Sequence, residues 1–345
     1  MHDSGFSPGH PALAAQAVSV PANAPPMLFV VVDTEEEFDW SRPFARENTS
    51  VTAIRQLPLL QTLLDGFELR PTYVIDYPVA TSPTSAPVIR DLYESRRCAV
   101  GSHLHPWVNP PYDEAVTTAN SFASNLGHEL ERAKLTTLTD AVEEHIGVRP
   151  RIYKAGRYGF GPSTVRVLEQ LDYAIDVSVN PYMDYSDQRG PNFDRFDPRP
   201  FWFGSNGALL EVPCTLGFAG FLRRYGRPLH RLVDTKTWRA VRLPGILSRS
   251  GALNKIMLSP ETSTLAEMQA VTQALIADGV RTFALTLHSP SVEPGHTAYV
   301  RTAADLRAFL DRIAAYCEFF FGEIAGVPAT LDEFRQLHVA GGAAA

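Results

Sequence analysis

The chain has 345 residues, of which 45% are hydrophobic and 20% are charged, so it can bury a large globular core. Its 31 Lys and Arg residues, scattered apart from pairs such as Arg223 and Arg224, face 38 Asp and Glu residues and give a net charge of −7, which excludes a typical nucleic-acid-binding surface. Three cysteines exclude a disulfide framework, and no apolar run reaches the ~18 residues of a membrane span, so we expect buried thiols, no bilayer crossing and a cytoplasmic location.

Predicted strands and helices alternate from residue 27 onward. The strands are predicted at 27–33, 71–77, 97–105, 151–156, 173–179, 208–214 and 282–288. The helices are predicted at 53–67, 85–95, 121–145, 161–172, 263–279 and 303–321. The first strand, MLFVVVD, is a continuous apolar run of the kind that is buried on both faces of a parallel sheet. This order predicts an α/β fold with a parallel sheet.

The chain is expected to form one folded domain between two flexible ends. Residues 1–25 are rich in Pro, Ala, Ser and Gly and predict a flexible lead-in, without the basic start and apolar core of a signal peptide. Residues 26–336 form the predicted domain, with an irregular excursion at 217–250, and residues 337–345 a flexible tail. On the helix at 121–145, Glu131 and Lys134 are expected to be exposed.

Several predicted strands end in a polar residue. Asp33, Asp76, His103, the segment 154–157 and His288 each close such a strand. In a parallel barrel the carboxyl ends of the strands gather on one face, where active sites lie. The sequence therefore predicts that these side chains converge on one site.

The acidic run VVVDTEEEFDW supplies carboxylates directly after a buried strand. In an extended turn Asp33 and Glu35 point to the same side, so one can act as a base while the other holds a metal ion. The alternative for Glu36 and Glu37 is a helix N-terminus, where acidic residues are favoured by the helix dipole.

The stretch HLHPW places two imidazoles on one side of an extended backbone. Together with a carboxylate, His103 and His105 would make three protein ligands and leave an open position, as in catalytic zinc sites. The alternative for His105 is a loop histidine that is held by a backbone hydrogen bond.

Two further segments add cations to the predicted site. In YKAGRYGFG, Arg157 could pair with Asp33 or Asp176, whereas the alternative is a strand-to-helix turn with exposed cations, and Lys154 fits both interpretations. The segment TFALTLH ends at His288, a residue type suited to protonating a leaving amine.

Taken in order, these segments resemble the polysaccharide deacetylase family, carbohydrate esterase family 4, from about Pro26 to Gln336. VVVDTEEEF is similar to the family's first motif, with Asp33 as the base, and LTLH is similar to its fifth, ending at His288. The third motif resembles KAGRYG, with Arg157 beside Tyr158. The resemblance implies a distorted (β/α)7-8 barrel.

The sequence departs from the family pattern at two places. Thr34 stands where many members have a metal-binding Asp, so Glu35 is the expected acidic ligand and Glu36 the alternative. HLHPW spaces its histidines two apart instead of four, so Asn109 is an alternative ligand to His105. The fourth motif resembles DVSVNPYMDY, in which its acid is either Asp176 or Asp184.

The resemblance implies a metal-dependent hydrolase that removes an N-acetyl group from a carbohydrate, a cell-surface polysaccharide or its precursor, and releases acetate. The implied metal is divalent, with zinc first and cobalt, nickel or manganese as alternatives. The implied residues are Asp33, His288 and Arg157 for catalysis, Glu35, His103 and His105 for the metal, and Tyr158, Trp107, Trp40 and Asp184 for the substrate. The alternatives are a hydrolase of a non-sugar linear amide and an inactive glycan-binding module; the oligomeric state stays open.

Overall fold

The structure is a computed structural model, and it describes residues 7–11, 13–38, 42–233 and 243–342. The strands are β1 (Gln16–Ala17), β2 (Met27–Thr34), β3 (Thr72–Ile75), β4 (Ala99–Leu104), β5 (Ile152–Ala155), β6 (Ile175–Asp176), β7 (Phe201–Phe203), β8 (Leu209–Glu211), β9 (Leu216–Ala219), β10 (Asn254–Met257), β11 (Thr282–His288) and β12 (Val327–Pro328). The helices are α1 (Leu57–Asp65), α2 (Tyr77–Thr81), α3 (Ala86–Glu94), α4 (His128–Ile146), α5 (Pro162–Gln170), α6 (Gly226–Val233), α7 (Leu243–Arg249), α8 (Leu265–Ala277), α9 (Ala303–Glu318) and α10 (Leu331–Gly342). No helix within these described ranges is long and apolar enough to cross a bilayer.

Eight strands form one parallel sheet: seven follow the order β11-β2-β3-β4-β5-β6-β8, and β12 pairs with β2. Strands β7 and β1 are added in antiparallel fashion at the β8 edge. Within the described ranges, no ladder joins β8 to β11. The antiparallel β9–β10 pair lies between these strands. Residues next to it contact β11: the backbone N–H of Ala284 donates to Thr215 Oγ1 at 2.8 Å, and that of Thr286 donates to the Leu258 carbonyl oxygen at 3.1 Å. The predicted α/β class and barrel-like fold are confirmed, and the open ladder is the distortion of the barrel.

The strand pattern decides which side chains enter the barrel. Along β2, Leu28, Val30 and Val32 pack in the large core beneath the helices, whereas Phe29 and Val31 pack in a separate inner core. Helix α10 closes the far end of this inner core. Its side chains Leu331 and Phe334 pack in this core, and the centre of the Phe334 ring lies 5.5 Å from the centre of the Phe29 ring.

The same alternation directs polar side chains inward at the opposite, carboxyl end. Asp33 follows Phe29 and Val31 on the inner face of β2. Its register partner on β11 is His288, and His103 on β4 is the partner of Lys154 on β5. Four polar residues from four adjacent or nearby strands therefore share one end of the barrel.

Both predicted flexible ends contain ordered structure. Strand β1 pairs with β7, and Leu13 is fully buried, because this part of the lead-in covers the sheet edge. Helix α10 continues to Gly342, beyond the predicted end of the domain at 336. The prediction of flexible ends is therefore wrong for these residues.

The prediction that Glu131 and Lys134 are exposed on helix α4 is also wrong. The Lys134 ammonium is buried and donates to the carbonyl oxygens of Pro106, Asn109 and Pro111 at 2.6–3.0 Å, so it anchors the loop that follows β4. Glu131 is also buried, and its Oε1 accepts a hydrogen bond of 2.5 Å from the Thr164 hydroxyl.

Candidate metal centre and active site

Three buried side chains converge at the carboxyl end of the barrel. His103 lies near the end of β4 with His105 beyond it, and Glu35 follows the end of β2. Oε2 of Glu35 lies 3.1 Å from Nε2 of His103 and 3.3 Å from Nε2 of His105. Neighbouring ligands of a tetrahedral zinc ion with bonds of about 2.0 Å are separated by about 3.3 Å. The cluster therefore has the size that fits one divalent metal ion.

Outer hydrogen bonds determine which nitrogen of each imidazole faces the cluster. Nδ1 of His103 lies 3.1 Å from the Lys154 carbonyl oxygen, which can only accept, so Nδ1 carries the proton and Nε2 presents a lone pair. Nδ1 of His105 lies 2.7 Å from Oε2 of Glu36, the arrangement that orients metal-binding histidines. The indole N–H of Trp107 donates to the other Glu36 oxygen at 2.8 Å. Two imidazole lone pairs and a carboxylate oxygen thus face one another, which a cation would stabilise.

Burial shifts the pKa of each group in this cluster. It lowers the pKa values of His103 and His105 to about 4, so both imidazoles are neutral at pH 7 and able to ligate a metal ion. It raises the pKa of Glu35 to about 7 and that of Glu36 to about 8, because a buried carboxylate loses its hydration. A divalent cation would offset that loss.

The alternative ligands have different surroundings from Glu35. Glu36 forms a second group with Asp76 and His105 in which the ligand atoms lie within 4.8 Å of one another. Its backbone N–H donates to Asp76 Oδ2 at 2.7 Å, and burial raises the pKa of Asp76. Glu35, however, faces the Nε2 atoms of both histidines. The Asn109 side-chain amide donates to the carbonyl oxygens of Pro110 and Lys134.

A buried ion pair lies beside the cluster. The Lys154 ammonium donates to Asp33 Oδ1 at 2.6 Å and to Oδ2 at 2.8 Å. Burial would raise the pKa of Asp33, but the charge of Lys154, together with His103 and His288, lowers it below its ordinary value. Asp33 is therefore an ionised carboxylate held in a fixed orientation.

His288 stands on the other side of Asp33, with its Nε2 3.6 Å from Asp33 Oδ2. Its Nδ1 lies 2.7 Å from Oε2 of Glu261, and its backbone N–H donates to Oε1 of Glu261 at 3.1 Å. Burial would lower the pKa of His288, but the carboxylates of Glu261, Glu35 and Asp33 raise it to about 10. The His288 side chain is one-third exposed, so a protonated imidazole faces the entrance of the site.

The expected pairing of Arg157 with Asp33 or Asp176 is replaced by other contacts. The Arg157 guanidinium lies 4.2 Å from the centre of the Phe122 ring and donates to Ser121 and Gln188, because its backbone has a φ of 53° that turns the side chain toward these loops. Lys154, the other cation of the same motif, makes the contact with Asp33 that was expected of Arg157.

Two of the expected substrate residues, Trp107 and Asp184, make other contacts. Trp107 is only 2% exposed. Its ring stacks on the His105 ring at a centroid distance of 4.3 Å, and the Phe44 ring packs on it at a centroid distance of 4.6 Å. Trp107 is therefore not a sugar-stacking surface. Asp184 is exposed and accepts a hydrogen bond from the Ser186 N–H at 2.9 Å, which caps a turn. Trp40 lies outside the described residues.

Tyr158 lies close to the ion pair. Its ring is 5.6 Å from the Lys154 ammonium and stacks on Tyr185 at a centroid distance of 5.6 Å. Its φ of 59°, directly after the left-handed Arg157, is a backbone conformation that is costly for a bulky residue and clusters at functional sites. The other acid that was considered for the fourth motif, Asp176, is buried and accepts a hydrogen bond of 2.6 Å from Ser178.

The partner of His288, Glu261, was not predicted from the sequence. This residue follows β10 in the segment SPETS and lies 27 residues before His288. The only local signal is an acid after a short apolar strand, and that strand was not predicted.

Comparison with solved structures places this geometry in a known fold. A protein from Mycobacterium smegmatis, described as a "putative polysaccharide deacetylase", aligns over 94% of this chain and 94% of its own, with a TM-score of 0.54 and 15% identity. The chain has the polysaccharide deacetylase fold. Puue allantoinase shares this fold over 93% of this chain and 95% of its own, with a TM-score of 0.53 and 14% identity. No model of a known family matches the sequence, and no curated protein sequence matches it.

Proposed function

We propose that this chain is a metal-dependent hydrolase that removes an N-acetyl group from a carbohydrate, a cell-surface polysaccharide or its precursor, and releases acetate. The observation that carries the proposal is the convergence of Glu35, His103 and His105 within reach of the Asp33–Lys154 pair and the protonated His288. Three ligands, an ionised carboxylate and an imidazolium are the parts that metal-assisted amide hydrolysis requires.

The metal ligands are Glu35, His103 and His105. Their two nitrogen donors and one carboxylate oxygen form the donor set of catalytic zinc sites, and cobalt, nickel and manganese are alternatives with compatible chemistry. When bound, a divalent ion polarises the acetyl carbonyl and lowers the pKa of water. Glu36 orients His105 through the 2.7 Å contact with Nδ1.

The remaining residues handle the protons. Asp33, kept ionised and oriented by Lys154, accepts a proton from the water that attacks the acetyl carbon. His288, protonated at neutral pH, donates a proton to the departing amine nitrogen, and Glu261 holds its ring. The products are acetate and the free amine, so the atoms of the amide and one water are all accounted for.

We also propose a role for the backbone N–H of Tyr158. Its left-handed backbone follows β5 beside Lys154. We assign its N–H to the developing oxyanion, a contact whose loss typically costs about 3 kcal/mol of transition-state stabilisation.

A hydrolase of a small non-sugar amide is the second candidate function. The burial of Trp107 supports it, because an aromatic platform that a sugar would stack on is absent at that position. An inactive glycan-binding module is the third, and it requires no metal ion.

One experiment separates these functions. The purified protein is analysed for bound metal, and acetate release is measured on N-acetylated mono- and oligosaccharides and on simple linear N-acetyl amides, before and after chelation. We expect one metal ion per chain, chelator-sensitive acetate release from the sugars, and Asp33→Asn to abolish turnover while retaining the metal. Release from linear amides alone would support the second function, and a protein without metal or turnover would support the third.

A further inference from the structure

Residues 221–250 form a strongly basic segment in a chain whose net charge is negative. These 30 residues contain eight Lys or Arg and a single Asp, a formal charge of +7, so the other 315 residues carry −14. The basic residues are therefore concentrated here and not scattered as expected. Such a charge asymmetry within one chain indicates a partner with negative charge.

The described parts of the basic segment also expose large apolar side chains. Phe221, Tyr225, Leu232 and Ile246 are exposed by 75%, 63%, 63% and 54%. They are four of the nine exposed large apolar side chains in the described part of the chain, and the other five are distributed over more distant segments. The concentration of apolar and basic side chains in one segment is therefore specific to this part of the surface.

The basic segment is supported by the folded domain. The segment lies between β9 and β10, which pair as a two-stranded sheet. Helices α6 and α7 pack on each other and on these two strands. Arg223 lies 3.7 Å from Asp278, and Arg231 forms an ion pair with Asp194. These pairs hold the segment on the domain, while Arg224 and Arg249 are exposed beside the apolar side chains.

We propose that the described part of the basic segment docks on the surface of an anionic phospholipid bilayer. Arginine guanidinium groups bind lipid phosphates through paired hydrogen bonds, and exposed Phe, Tyr, Leu and Ile side chains enter the boundary between headgroups and acyl chains. Nucleic acid would need the charge but not the apolar side chains. The combination is the one that peripheral membrane proteins use. This surface contains no residue of the proposed active site, so it is independent of the proposed function.

Flotation of the full chain with lipid vesicles tests the proposal. We expect binding to vesicles of phosphatidylcholine mixed with phosphatidylglycerol, little binding to phosphatidylcholine alone, and weakening by salt. Each arginine removed should reduce the partition coefficient about fivefold, so Arg224→Gln with Arg249→Gln should reduce it about 25-fold. Leu232→Ser with Ile246→Ser should weaken binding even at low salt, because it removes the apolar contact.

Matched variants provide the control. Arg301→Gln with Arg307→Gln removes the same charge from exposed positions on and before helix α9, and it should leave vesicle binding within about twofold. Circular dichroism confirms that each variant is folded. The proposal is overturned if the wild type does not float with anionic vesicles at low salt, if the α9 control loses as much binding, or if DNA competes fully and the Leu232 and Ile246 changes have no effect.

Discussion

The buried Lys154–Asp33 pair gives the sharpest test of the site. Both side chains are at most 6% exposed, and two hydrogen bonds of 2.6 and 2.8 Å join them. Lys154→Met removes the ammonium but keeps a similar chain length, so Asp33 is left as a buried carboxylate without its main cation. Removing one partner of a buried pair destabilises a protein by about 3–5 kcal/mol. We expect a loss of this size in the free energy of unfolding at neutral pH, measured by urea denaturation.

A double-mutant cycle separates the pair from the loss of packing. Asp33→Asn combined with Lys154→Met removes both charges, so it should be more stable than Lys154→Met alone, with a coupling energy of about 2 kcal/mol or more. Lys154→Arg, which preserves the charge, should lose less stability. Equal stability of the wild type and Lys154→Met, or additive effects in the cycle, would show that the ion pair does not organise Asp33.

Three further changes test neighbouring parts of the structure. Glu36→Gln should weaken metal affinity about 10–100-fold in a chelator competition assay, because it removes the carboxylate that orients His105, and unchanged affinity would refute that role. Glu261→Gln should lower the pKa of His288 from about 10, so the fall of turnover at high pH should begin at a lower pH than in the wild type. Glu131 has a pKa raised by burial from 4.5 to about 7, so the folded state retains its proton and stability should fall by about 3 kcal/mol as the pH rises from 4.5 to 7; Glu131→Gln should flatten this slope in urea denaturation.

The main fold could be predicted because its signals are local. A continuous apolar run predicts a strand buried on both faces, and the alternation of such runs with helical segments predicts a parallel sheet. Strand β2 also fixed the orientation of Asp33, since side chains two residues apart share a face. The short strands β1, β7, β9 and β10 were not predicted.

In the candidate site, the residues at strand ends could be predicted, whereas the contacts that depend on turns and loops could not. The residues that end strands, Asp33, His103 and His288, were found because strand ends of a parallel sheet meet at one edge. The choice of Lys154 over Arg157 depends on the backbone turn at φ 53°, which the sequence does not specify. The contact of His288 with Glu261 joins the end of β11 to a loop residue 27 positions earlier, and neither segment contains a signal for the other.

Burial of polar residues was the hardest feature to predict. Lys134 and Trp107 have the residue types of an exposed charge and a sugar platform, yet both are buried because distant acceptors satisfy them: three loop carbonyls for Lys134 and the Glu36 carboxylate for Trp107. A polar group is stable in the interior only where such a partner exists, and the partner is determined by tertiary structure.

The short spacing of the histidines has a structural explanation. In an extended segment, residues two apart point to the same side, so His103 and His105 can direct both Nε2 atoms to Glu35 with no helical turn between them. The centres of their two rings then lie 4.5 Å apart. The His105 ring therefore needs space beyond the end of β4. Gly156, at the end of the neighbouring strand, provides it: a Cβ there would lie 2.3 Å from His105 Cδ2. The compressed motif and the glycine of KAGRYG therefore depend on each other.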